Sequence, residues 1–261
     1  MNHRTRLWLL GILAVAMLLL AAIMPPLPQP VEYHQFADRR SYFGIPNFFD
    51  VISNIAFLFV GFAGLAFLSQ PHEPHSRGIF VTLPERWPYL ILFLSVLAAG
   101  FGSAYYHWQP DNERLVWDRL PMAAGFMALL AAVLTERINP RVGLQLLPFL
   151  LAAGIGSVLH WHWSEQAAAG NLNFYLVVQF CSLLLVLLLV TFFPPRYSHG
   201  MDIYGAIAWY GLAKLAELAD QEIYAVGQLI SGHTLKHLLA ALAVYWILRM
   251  LRKRRPLPEK I

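Results

Sequence analysis

Long uninterrupted apolar runs decide what this chain can become. They cover Leu7 to Met24, Phe48 to Leu68, Tyr89 to Trp108, Leu115 to Thr135, Val142 to Trp161, Phe174 to Phe193, Asp202 to Leu218 and His233 to Met250. A helix needs about 20 mostly apolar residues to cross a bilayer, and each run is near that length. Barrel strands would alternate polar and apolar residues, so unbroken runs specify helices. Only 13% of the 261 residues are charged, against about 25% in a soluble domain. The expected fold is all-α, a polytopic transmembrane helix bundle of eight spans forming one integral membrane domain over residues 1–261.

The first run follows Arg4 and Arg6 and precedes Pro25-Pro26-Leu27-Pro28. It is longer than the core of a signal peptide, so an uncleaved first helix is expected. The net charge of +4 does not point to nucleic acid, because the basic residues cluster in loops and in the tail from Arg249 onward. That distribution serves topology and anionic lipid. The single cysteine, Cys181, excludes an intrachain disulfide and makes a cysteine metal site improbable.

Placing the N-terminus in the cytoplasm puts Arg4, Arg6, Arg77, Arg86, Arg137, Arg141, Arg196 and the basic tail on that side. The opposite loops hold Arg39, Arg40 and Arg114. The bias gives both termini a cytoplasmic location. The third span then ends on the outer side with His107. The fourth begins there with Asp118, and the eighth begins there with His233 and His237. Asp50, Ser53 and Asn54 open the second span and are expected to face the bundle interior.

Ser103 and His107 are four residues apart and share a helix face; His233 and His237 repeat that spacing. An i, i+4 histidine pair is a metal-ligand spacing, and three histidines plus water make a catalytic zinc shell with one open position. Each residue also has an ordinary reading. A lone histidine at a helix end is usually hydrogen-bonded at the interface. Ser103 can serve close helix approach, and Asp118 can pair with Arg119 or Arg114. Their common depth is what favours a site. His160 and His162 are two apart and point in different directions, so they read as part of an interfacial belt with Trp161 and Trp163. Lys214 and Glu217 are expected to pair, Asp220 and Glu222 to form a solvated acidic loop, and His72 and His75 to lie on the cytoplasmic side.

These residues resemble the alkaline ceramidase family, within the seven-helix membrane hydrolases that include the adiponectin receptors. The matching stretches are Asn47-Phe48-Phe49-Asp50-Val51-Ile52-Ser53-Asn54, Gly102-Ser103 with His107, Asp118-Arg119-Leu120-Pro121-Met122, and Gly232-His233 with His237. They occur in family order over residues 38 to 250. The resemblance implies a seven-helix core over residues 48–250 plus an extra N-terminal helix over 7–24. It also implies zinc held by His107, His233 and His237, with Ser103 and Asp118 catalytic. The animal enzymes carry a calcium site that uses a glutamate where Asn47 stands here. Asp38 is also followed by Arg39 and Arg40, so a full calcium site is not expected.

The sequence reads as a bacterial member, which implies the inner membrane and a site toward the periplasm. The expected activity is zinc-dependent hydrolysis of the amide of a long-chain N-acyl lipid, ceramide-like, that enters from the bilayer. A proton-relay transporter and a zinc-stabilised, non-catalytic receptor are the alternatives. The first calls for polar residues across the whole membrane; the second has no need of Ser103 and Asp118.

Overall fold

The structure is a computed structural model that describes residues 2–70 and 78–258. Arg77, His72 and His75 lie outside the described residues. The chain is 76% helical and contains no strand among them. We number the main helices α1 (His3–Ile23), α2 (Phe48–Ser69), α3 (Trp87–Trp108), α4 (Asn112–Arg137), α5 (Pro140–Gln166), α6 (Asn173–Phe192), α7 (Asp202–Leu218) and α8 (Gly232–Lys253). Among the described residues, seven are long and apolar enough to cross a membrane, which makes the chain an integral membrane protein.

The exception is α7, the seventh expected span. Its 17 residues measure about 26 Å, short of the ~30 Å hydrocarbon core. Asp202, Lys214 and Glu217 further reduce its apolar length. It packs along α8 as the expected span would, and a short helix, Asp220–Ala225, carries the chain on from its end.

Local chemistry sets the helix ends. Asp111 accepts a hydrogen bond from the Arg114 amide at 2.7 Å and starts α4, and Ser231 accepts from the Thr234 amide at 3.0 Å and starts α8. Such caps satisfy amides that have no partner within the helix. Between Trp108 and Asn112 only Gln109, Pro110 and Asp111 connect α3 to α4. That turn folds the two helices back antiparallel, so Asp118 returns to the depth of His107. Gly102 allows this closeness, since a Cβ there would stand 2.0 Å from the Trp117 carbonyl oxygen.

The central helix is α4, which packs on α3, α5 and α6. Its small residues Ala123, Ala128, Ala131 and Ala132 are buried without exposed area and let neighbours approach closely. By contrast α1 is peripheral, and among the long helices its main packing partner is α6. A second break interrupts α2 at Ser53 and Asn54. In α6, residues Val177–Cys181 form a π-helical turn. At the end of the bundle away from His107, Arg254 of the C-terminal tail pairs with Glu136 of α4, which also accepts from the Tyr89 hydroxyl at 2.7 Å. Those buried charges are paired, as burial requires.

Candidate metal centre

The end of α3 and the start of α8 meet where the sequence places their histidines. His107, His233 and His237 are all buried, and one ligand atom from each lies within 4.8 Å of the others. Their ring centroids are 4.7, 4.8 and 4.9 Å apart. His107 Nε2 and His233 Nε2 are 3.2 Å apart. Two nitrogens on one tetrahedral zinc, each at about 2.0–2.1 Å, would stand roughly 3.3 Å apart, so the separation fits a shared ion. His237 Nε2 is buried with no hydrogen-bond partner, and an orphan of this kind calls for an explanation. A cation among the three nitrogens supplies it. Among the described residues this is the only group of histidine, cysteine and acidic side chains disposed to hold a metal.

Surrounding residues fix the rings. His237 Nδ1 is 2.7 Å from the Ser53 hydroxyl, at the break in α2. One Asp50 carboxylate oxygen accepts from Thr234 Oγ1 at 2.7 Å and Ser231 Oγ at 3.2 Å, tying α2 to the first turn of α8. Asp50, Ser53 and Asn54 are all buried, as the sequence requires of polar residues opening a span. Asn47 donates to the His107 carbonyl at 2.9 Å. Asp220, expected in a solvated loop, is instead a clamp. Its carboxylate accepts from the His233 amide at 2.7 Å and from the Ala37 amide at 2.9 Å.

That second bond draws residues 31–38 over the site. Phe36 lies against His107 and His233 at centroid distances of 4.6 and 4.5 Å. His34 holds the strap from the side, with Nε2 3.0 Å from Asn112 Oδ1 and Nδ1 2.9 Å from the Tyr106 hydroxyl. Burial lowers the His34 pKa more than the Asn112 hydrogen bond raises it. The neutral ring therefore donates to the Asn112 carbonyl oxygen and accepts from Tyr106.

Ser103 and Asp118 are buried and line a cavity of about 330 Å³ together with His237. The Ser103 hydroxyl and the Asp118 carboxylate share that cavity wall, close enough for the hydroxyl to act on the carboxylate's charge. Neither suggested arginine pairs with Asp118. Arg114 pairs with Asp111; Arg119 donates to Gln29 Oε1 at 2.6 Å and lies over the Trp161 ring at 4.2 Å. Away from the polar group, the cavity wall is Leu92, Val96, Leu129, Ile203, Val244 and Ile247. From Ser103 to Leu92 is eleven residues of α3, about 16 Å along the axis.

His160 and His162 stay apart from the site, the first against Phe174 and the second 3.8 Å from Glu113. Lys214 and Glu217 pair as the spacing implies, but a third group joins them: Lys236 contacts the same carboxylate at 2.8 Å. Lys236 Nζ also lies 3.2 Å from His233 Nε2. The sequence does carry a sign of it, an ionisable residue inside an apolar span. Phe36 has no comparable signature.

No family model matches the chain, and no curated protein matches it in sequence. What the site can do must therefore be argued from its own geometry.

Purified protein is expected to hold one metal ion per chain, and His233→Ala with His237→Ala should remove it. Ser53→Ala deletes only the support of His237 and should weaken binding about 10- to 100-fold. Competition against a chelator measures the affinity. Unchanged affinity in the serine variant would show that the hydroxyl does not orient a ligand.

Proposed function

We propose that the protein is a zinc-dependent membrane amidase that cleaves the amide of a long-chain N-acyl lipid, resembling the alkaline ceramidases. The carrying observation is the single cavity that joins His237, Ser103 and Asp118 to an apolar channel. Its volume is at the lower end of the roughly 300–1,000 Å³ of small-molecule sites, and its shape suits an acyl chain with the amide at the polar end.

Three histidines leave one position open, and zinc bound there would polarise a carbonyl and make its water acidic. Asp118, facing the cavity, accepts the proton of the attacking water and returns it to the departing amine. The Ser103 hydroxyl donates a hydrogen bond to the amide oxygen as negative charge develops there. The apolar wall holds the acyl chain, and Phe36 excludes bulk water from the histidines. A proton relay is the weaker reading, because the far half of the cavity, where Ser95 is the polar group beside Leu92 and Val96, offers no charged side chain to continue it. A purely stabilising metal leaves the buried Ser103 and Asp118 without a purpose.

The basic-residue bias supports cytoplasmic termini and a site near the outer face, periplasmic in a bacterium. Lipid then arrives sideways from that leaflet, because each CH₂ buried in lipid gains about 0.8 kcal/mol over water.

Comparing lipid extracts with and without the protein by mass spectrometry identifies the substrate. Against it, Asp118→Asn should lower kcat about 10²- to 10⁴-fold, the usual contribution of a general acid–base group, while metal content stays at the wild-type level. Parallel loss of metal and activity would make Asp118 a ligand instead.

Orientation is tested with Gln109→Cys and Arg141→Cys, each exposed and at opposite ends of the bundle, in a Cys181→Ser background. A membrane-impermeant thiol reagent on spheroplasts should label the first and spare the second. The reverse pattern would place the site on the cytoplasmic side.

A further inference from the structure

Of the 19 lysines and arginines, Arg119, Lys214 and Lys236 are the three that belong to neither set of membrane-flanking segments. All three line the cavity, where the carboxylates are Asp118 and Glu217. The polar end thus carries one positive charge more than it has carboxylates to neutralise. Two ammonium groups share the single carboxylate of Glu217, Lys236 at 2.8 Å and Lys214 in a close ion pair.

These cations form a path. Lys236 begins it, 3.2 Å from His233 Nε2. Lys214 ends it at the lipid-facing side, with a side chain 27% exposed and its ammonium 5.9 Å from the ring of Phe180, itself 46% exposed. The path follows a gap between helices. Whereas α7 packs closely on α8, it meets α6 sparsely. Polar bridges between them run from Gln179 to the Tyr210 hydroxyl at 2.7 Å and between Thr191 and the Tyr204 hydroxyl at 2.9 Å. Lys214 lies one helical turn beyond Tyr210, toward the histidines. The π-helical turn of α6, Val177–Cys181, carries Gln179 and Phe180, the neighbours of Tyr210 and Lys214. Phe36 covers the histidines from the loop side.

We infer that lipid enters between α6 and α7 and that Lys214, with Lys236, selects a substrate whose amide nitrogen is borne by a carbon carrying a carboxylate, an N-acyl amino acid. This rests on the amidase reading of the same cavity. The anion must be a carboxylate close to the amide because the cations start beside the histidines. A phosphate on a longer headgroup would overshoot Lys236. The reaction balances as a hydrolysis: water oxygen bonds to the acyl carbon, the C–N bond breaks, and the nitrogen takes a proton. Fatty acid and free amino acid leave. Lys214 touches the carboxylate and not the reacting bond.

The test uses the full-length, metal-loaded protein in phosphatidylcholine nanodiscs. N-palmitoylglycine, N-palmitoylethanolamine and palmitoyl lysophosphatidic acid each compete with a fluorescent fatty-acyl probe. A charge-assisted contact should make the glycine lipid bind about tenfold more tightly than the ethanolamine lipid. Lys214→Met should erase that difference, and Lys214→Arg should keep it. Equal binding of the two amides, a preference that survives Lys214→Met, or a phosphate lipid that competes as well as the carboxylate would overturn the inference. Release of glycine is measured beside binding. A carboxylate preference without hydrolysis of either amide would sink the amidase reading and leave the binding selectivity standing. Hydrolysis of both amides at equal rates would sink the selectivity alone.

Discussion

Three imidazoles meet ring to ring inside an apolar bundle, and the rest of the structure is arranged around that contact. Two Nε2 atoms 3.2 Å apart can share one proton, while His237 Nε2 finds no partner. Leaving such a group buried and unsatisfied costs about 1–3 kcal/mol. A bound cation turns the same convergence of lone pairs from a cost into a binding site. That constraint accounts for the buried polar groups nearby: Ser53 supports an imidazole, and Asp50 and Asp220 hold the first turn of α8, which carries His233.

The supporting contacts gather around the histidines from several parts of the chain. Ser53 comes from the break in α2, Asp50 from the turn before it, Asp220 from the short helix after α7, and Phe36 from the strap after α1. The strap seals the loop side and the apolar cavity opens the other, so chemistry and access are separated. Charge follows the same division. The ion pair of Arg254 with Glu136 locks the far end, whereas Lys214, Glu217 and Lys236 line the cavity beside the histidines.

Much of this was legible in the sequence for physical reasons. Span length and the antiparallel turn at Gln109-Pro110-Asp111 fix the depth of His107 against Asp118. The i, i+4 spacing fixes the common face of His233 and His237. Asp50, Ser53 and Asn54 were readable as inward-facing, because lipid tolerates no such cluster. The clamp role of Asp220 was not, since it depends on how the short helix Asp220–Ala225 folds back over α8. Phe36 was hidden for the same reason: a loop phenylalanine among many aromatics has no period to mark it. Lys236 carries the mark of an intramembrane charge but was not singled out in the sequence, because its carboxylate partner lies on another helix and only packing brings Glu217 to it. The seventh span proved short because α7 has only 17 residues, Asp202, Lys214 and Glu217 among them, and packs along α8 instead.

The central claim is that the three histidines hold one metal with a position left open. X-ray absorption at the zinc edge on the purified, zinc-loaded protein reads that shell directly. The expected spectrum has three imidazole nitrogens at about 2.0–2.1 Å and one oxygen, four ligands in all. A shell of oxygens alone, or an ion whose spectrum is unchanged by His107→Ala, would contradict it.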